Sequence, residues 1–281
     1  MKKYILPLIS ILAPLGFLAN SANAQSSITD PSLDYLRVST SVGYESKYVF
    51  RGEELAEDSV QASVDFAYPL MENYDLYFGA FTNAPMSRGS DTDQFTEVDI
   101  YIGTTYSINS FTFDLGYIYY WYTDLEPLEN RTQEIYFGVT MDTSAYIGVN
   151  LNPALYYYYN ATLDQHTVEV SVSYTADIGA MVTGLSSRFT MPIKVYSGWL
   201  TTADFTGTLT WNEFISGDFV DGIKLSNDYW YAGATIDFAY DLTDYCRISA
   251  GARVSYTQGD TRYDGEEKTF FWYGAKVNFG F

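Results

Sequence analysis

Apolar and polar residues alternate with a period of two along almost the whole chain. Val38, Thr40, Val42, Tyr44, Ser46, Tyr48 and Phe50 form one row of a first segment, and Arg37, Ser39, Ser41, Gly43, Glu45 and Lys47 form the other. Successive strand side chains point to opposite faces, so this spacing predicts a strand with one apolar and one polar face. The pattern recurs through Val60 to Tyr68, Tyr74 to Ala80, Val98 to Tyr106, Phe111 to Trp121, Ile135 to Met141, Ala145 to Leu151 and Val168 to Tyr174. It returns in Trp230 to Tyr240, Cys246 to Tyr256 and Phe271 to Phe281. Read in this phase, none of the apolar rows contains a charged residue.

A sandwich core and a barrel facing lipid both predict such rows. Three features favour the barrel. The rows end in aromatic residues, as at Tyr68 and Tyr74, or Tyr119 and Trp121, which suits the girdles where hydrocarbon meets water. Tight connectors at Ile108-Asn109-Ser110, Asp142-Thr143-Ser144 and Leu242-Thr243-Asp244 alternate with long polar ones from Pro85 to Asp93, Thr123 to Arg131 and Gln258 to Lys268. The chain also stops inside a strand on Phe281, a signal of the kind read by the outer-membrane barrel-assembly machinery. The expected fold is all-β, a transmembrane antiparallel barrel of about 12 strands. Residues 178–227 must supply an odd number of crossings, and Phe189, Met191, Ile193 and Val195 form one clear row. A single crossing there gives twelve strands and three give fourteen, the alternative.

Charge and composition sharpen this. The chain has 281 residues, 15 Lys plus Arg against 35 Asp plus Glu, and a formal net charge of −20. Such an excess of acid repels phosphates and excludes a general role in nucleic-acid binding. Lys2 and Lys3, an apolar run from Ile5 to Leu18, and Ala22-Asn23-Ala24 read as a signal peptide over residues 1–24, cleaved before Gln25. Residues 25–281 then form a single barrel domain in the outer membrane of a Gram-negative-type bacterium. With one cysteine, Cys246, neither a disulfide within the chain nor a thiolate metal cage can form. No cofactor is expected.

The segment Val42-Gly43-Tyr44-Glu45-Ser46-Lys47-Tyr48-Val49-Phe50-Arg51-Gly52 resembles the opening motif of the TorF-type porin family. The similarity continues through Asp65-Phe66-Ala67-Tyr68, Glu97 to Gly103, Asp114 to Tyr120 and Pro153 to Tyr159. This chain departs from the pattern at Lys47, where the family carries an aspartate, and matches weakly over residues 176–227. The resemblance implies an outer-membrane barrel of porin type, and supplies neither a solute nor catalytic residues.

Residues opposite the apolar rows point into the lumen, where water or a partner permits charge. On the second to eighth strands these include Asp65, Asp75, Glu97, Asp99, Asp114, Glu134 and Glu169; on the first and last two they include Arg37, Lys47, Arg247, Arg253 and Lys276. Barrel closure brings the basic strands together, so a positive wall faces a longer negative one, unless these charges pair locally in a plugged lumen. Tyr77, Tyr101, Tyr120, Tyr122 and Tyr136 share the inward phase, either as an aromatic slide for carbohydrate or as filling for a narrow barrel. Arg51-Gly52 follows the first strand, where Arg51 can guard the pore mouth, contact lipopolysaccharide phosphates or anchor a loop. Three functions result: a passive, cation-preferring channel for small hydrophilic solutes; a plugged structural or adhesive barrel meeting lipid or a partner; and a barrel hydrolase built on His166 and Asp164. The last has no nucleophile motif, and calcium binding by Asp91 and Asp93 or by Asp260, Asp264 and Glu266 lacks a known loop pattern.

Overall fold

The computed structural model describes residues 36–86, 96–123, 131–202, 228–258 and 267–280. Twelve antiparallel strands follow one another: β1 (Arg37–Phe50), β2 (Glu53–Met71), β3 (Tyr74–Pro85), β4 (Glu97–Ile108), β5 (Phe111–Tyr122), β6 (Arg131–Met141), β7 (Ala154–Asn160), β8 (Gln165–Asp177), β9 (Phe189–Thr202), β10 (Tyr229–Thr243), β11 (Cys246–Thr257) and β12 (Lys268–Gly280). Each pairs with its sequence neighbours, and β1 closes on β12 through a register running from Ser39 opposite Gly280 to Glu45 opposite Gly274. Closure leaves no sheet edge with unpaired backbone groups. Between β8 and β10 the chain crosses once, so the count is twelve rather than fourteen. The signal-peptide segment, Phe281 and the acidic loop residues from Asp91 to Asp93 and from Asp260 to Glu266 lie outside the described residues.

The barrel is apolar outside and packed inside. Ile100, Ile102, Leu115, Ile135, Phe137, Val170, Phe238 and Phe271 are exposed, whereas Glu97, Asp99, Tyr120, Tyr136 and Tyr231 are buried. This inversion of a water-soluble protein is the surface a barrel presents to hydrocarbon. Ile102 lies in mid-strand, between Phe78 and Tyr117. Ile102→Arg is expected to cost about 2–4 kcal/mol in a urea titration from lipid vesicles; an unchanged unfolding free energy would place this row outside the hydrocarbon.

Two stretches depart from the simple alternation. The row Ala145, Ile147, Val149 and Leu151 is not a strand: residues Ser144–Ile147 form one helical turn, α1, and β7 begins only at Ala154. Gly148 ends the turn at φ 73°, its N–H bonded to the Ser144 carbonyl. The Asp142 carboxylate accepts from the Ser144 N–H at 2.8 Å, and Thr143 Oγ1 donates to the Val149 carbonyl at 2.7 Å while accepting from the Leu151 N–H at 2.8 Å. These local bonds outcompete strand pairing in a segment whose period alone suggested β. The Ser144 contacts also hold the Asp142 carboxyl below its ordinary range. A second single turn, α2 (Ile178–Met181), is capped by Asp177, whose side chain accepts from the Ala180 N–H at 2.9 Å.

The second departure lies at the end of β1. Tyr48 and Phe50, placed by their phase on the apolar outer row, are buried inside the barrel, as are Val49, Arg51 and Gly52. The register shifts between Tyr48, opposite Ala56, and Val49, opposite Glu54. One extra residue on β2 makes a bulge, which bends the hairpin and cancels the alternation beyond it.

Candidate functional site

The inner wall is built on cross-strand pairs of glycine and tyrosine. Gly79 faces Tyr101, Gly103 faces Tyr77, Gly116 faces Tyr136, Gly138 faces Tyr156, and on the other side Gly198 faces Tyr231 and Gly233 faces Tyr196. A Cβ added at Gly103 would stand 2.2 Å from the Tyr77 hydroxyl, and one at Gly116 2.3 Å from the Tyr136 ring. Each ring lies across the place a side chain would take, so tyrosine lines the wall without standing upright in the bore. The same device seats charged groups: Glu45 lies over Gly274 and Asp237 over Gly251.

The tyrosines hold most of the acidic wall. Asp114 accepts from Tyr77 at 2.6 Å and Tyr156 at 3.1 Å, Asp65 accepts from Tyr101, and Glu169 accepts from Tyr231 at 2.9 Å. Glu97 accepts weakly from Tyr48 at 3.4 Å, and both carboxylate oxygens of buried Asp99 have no hydrogen-bond partner. Tyr120 donates to Glu134 at 2.8 Å, while Tyr122 is buried with Tyr48, Phe50 and Phe81. Tyr136 shares a hydrogen bond with Tyr77, so Tyr77, Tyr101, Tyr120 and Tyr136 of the five inward tyrosines are hydrogen-bonded and Tyr122 is packed.

The basic residues are paired. Arg37 meets Asp75; Lys47 meets Glu54 at 2.5 Å and Glu57 at 3.1 Å; Arg247 meets Asp241 at 2.5 Å. Arg253 lies between Glu45 at 3.3 Å and Asp237 at 2.9 Å. Together with Lys194, Glu169 and Lys276, this group surrounds a cavity of about 150 Å³, closed above by Tyr48 to Arg51 and flanked by Tyr158, Tyr196 and Trp272. Charges of both signs share this chamber, while Asp65, Asp75, Glu97, Asp99, Asp114 and Glu134 of the acidic row lie outside it.

The roof of the chamber is the inward-bent β1–β2 hairpin. Its two turn residues have positive φ, 45° at Arg51 and 85° at Gly52, as a two-residue type I′ hairpin requires. Gly52 is pressed against β10 and β11, where an added Cβ would meet Thr257 Oγ1 at 2.1 Å and Tyr231 Cβ at 2.8 Å. Arg51 reaches across the lumen to β6 and β8. Its guanidinium donates to both Glu134 oxygens, at 3.0 and 3.4 Å, and to Thr167 Oγ1 at 3.2 Å. It lies 4.8 Å from the Phe50 ring centroid and 4.3 Å from that of Tyr158. The Arg51 and Glu134 side chains are 3% and 0% exposed. Of the roles open to Arg51 at the end of the first strand, the structure shows a side chain bent into the interior. In the sequence, the sign nearest to this arrangement is Arg51-Gly52 directly after Tyr48 and Phe50.

His166 stands outside the barrel between Tyr157 and Tyr159, its Nδ1 2.7 Å from the Tyr157 hydroxyl. Asp164 bonds Tyr159 rather than His166. Among the described residues no group of three or more metal-binding side chains occurs.

Residues 31–168 match the model of a family described as a bacterial protein of unknown function, Gcw_chp. A comparison with curated proteins found no match. Among solved structures, an outer membrane channel from Pseudomonas putida F1 superposes with a TM-score of 0.53 at 9% identity, covering 90% of this chain and all of that one. The NanC porin (TM-score 0.45, 12% identity, 86% of this chain and 98% of that one) and the KdgM porin (0.44, 11%, 86% and 99%) superpose more loosely. At 9% identity the likeness to the Pseudomonas putida channel is one of fold alone.

Proposed function

We propose that the protein is a porin-like passive channel of the outer membrane, admitting small hydrophilic solutes with a preference for cations. The observation that carries this reading is the charge balance inside a barrel whose outside is apolar. Arg37, Lys47, Arg51, Lys194, Arg247 and Arg253 each face a carboxylate within 3.5 Å, while Asp65, Glu97, Asp99 and Asp114 have no cationic partner among the described residues. Wherever these carboxylates are ionised and reach the lumen, the surplus field is negative and favours cations in a narrow, low-dielectric passage. The signal-peptide-like residues 1–24 and the resemblance of residues 42–52 to the TorF-type opening motif support insertion among outer-membrane lipid and lipopolysaccharide.

A second reading, a plugged structural barrel, is favoured by the hairpin roof and the packed tyrosines. Single-channel recording of the refolded protein in a planar bilayer, under a salt gradient, separates the two. Short openings with a cation-shifted reversal potential are the expected result. Silence from folded wild type and from Arg51→Ala alike would establish the structural barrel, and an anion-shifted potential would overturn the cation preference.

A further inference from the structure

The Arg51 side chain occupies the wall of the barrel much as a bound ligand would. Glu134 supplies a carboxylate with both oxygens turned to the guanidinium, Thr167 a hydroxyl acceptor, and Tyr158 an aromatic face at 4.3 Å. Tyr120 holds Glu134 in place at 2.8 Å. Paired carboxylate oxygens, a flanking acceptor and a ring face match a planar guanidinium better than a compact ammonium. These wall groups sit on β5 to β8, whereas their occupant sits on the β1–β2 hairpin. The register shift below the tip offers the occupant a place to hinge. The bulge at Tyr48 and Val49 lies at the base of the bent tip, and the two-residue turn is internally complete, so residues 48–56 can swing as one piece.

We propose that the pocket formed by Glu134, Thr167 and Tyr158 is a binding site for organic cations of the guanidinium type, that Arg51 is its built-in occupant, and that a guanidinium solute taking its place releases the hairpin from the lumen. A buried Glu134 left without a cation is strongly unfavourable, so Arg51 does not leave an empty pocket behind it. An incoming cation that satisfies the same carboxylate removes this penalty. Closure therefore depends on solute. This deepens the channel reading by naming a solute class, and it rests on that reading only for the opening step.

The test is titration calorimetry of the refolded, detergent-held protein with methylguanidinium, folding being verified by heat-dependent gel migration. Arg51→Ala is expected to bind one equivalent at least tenfold more tightly than wild type, where Arg51 competes. It should also favour methylguanidinium at least tenfold over methylammonium, and lose the binding when Glu134→Gln is added. Arg51→Ser offers the same emptied pocket in a second turn sequence. In bilayers, methylguanidinium should raise the open fraction of wild type, with no effect from methylammonium. No saturable binding to the folded Arg51 variants, or binding indifferent to Glu134→Gln, overturns the site. Binding without any conductance would leave the site standing and remove the channel, and conductance without binding would do the reverse.

Discussion

Replacing Glu134 by leucine is expected to lower the unfolding free energy of the barrel by about 3–5 kcal/mol, because it strands the Arg51 guanidinium in an interior closed to water. Thr167 and the Phe50 and Tyr158 rings remain, but none carries a compensating charge. The hairpin has one escape: it can swing out and solvate Arg51. In that case the loss in a urea titration is smaller, and it is accompanied by longer openings in a bilayer. The double replacement Arg51→Met with Glu134→Leu should recover most of the stability, since an apolar pair of similar volume often replaces a buried ion pair at little cost. Strong non-additivity is therefore the signature. A Glu134→Leu protein with both stability and conductance unchanged would show that the pair contributes nothing to closing the lumen.

Gly52→Val is expected to expel the hairpin tip altogether. Valine is strained at φ 85°, and its Cβ would overlap the Thr257 hydroxyl at 2.1 Å and the Tyr231 Cβ at 2.8 Å, the latter bonded directly to the backbone. The tip has no room to shift sideways, because Arg51 beside it is fixed to the opposite wall. The displacement can be read in a Cys246→Ser background with a reporter at Phe50→Cys. A membrane-impermeant maleimide should label that cysteine within minutes in Gly52→Val and at least tenfold more slowly with Gly52 in place. Equal labelling in the two would mean that the tip already leaves the lumen freely.

The outer face of this barrel was legible from sequence because lipid imposes a single demand on every strand, and the alternation around Ile100, Phe137, Val170 and Phe238 records it directly. The inside obeys no such uniform rule. Its residues meet one another across strands, so the partners of Asp114 or Glu134 follow from register, and register is invisible in a single strand's pattern. Period two also misled where a local event overrode it. A helical turn with its Thr143 and Asp142 bonds mimicked a strand at Ala145 to Leu151, and one extra residue opposite Tyr48 and Val49 turned an aromatic pair from lipid to lumen. Arg51 stood out as a residue of interest, yet its destination depended on that bulge and on walls brought close only by closure.

The glycine–tyrosine pairs have a consequence for assembly in the bilayer. Sliding one strand past its neighbour by two residues keeps every apolar side chain facing lipid and every polar one facing inward, so the solvent cannot detect the error. The rings can. After such a slip Tyr136 no longer meets Gly116, and Tyr77 no longer meets Gly103; each must find room over a residue that has a side chain. The pairs therefore work as keys cut along the β3–β4, β5–β6, β6–β7 and β9–β10 seams, rejecting misaligned closures that hydrophobicity alone would accept.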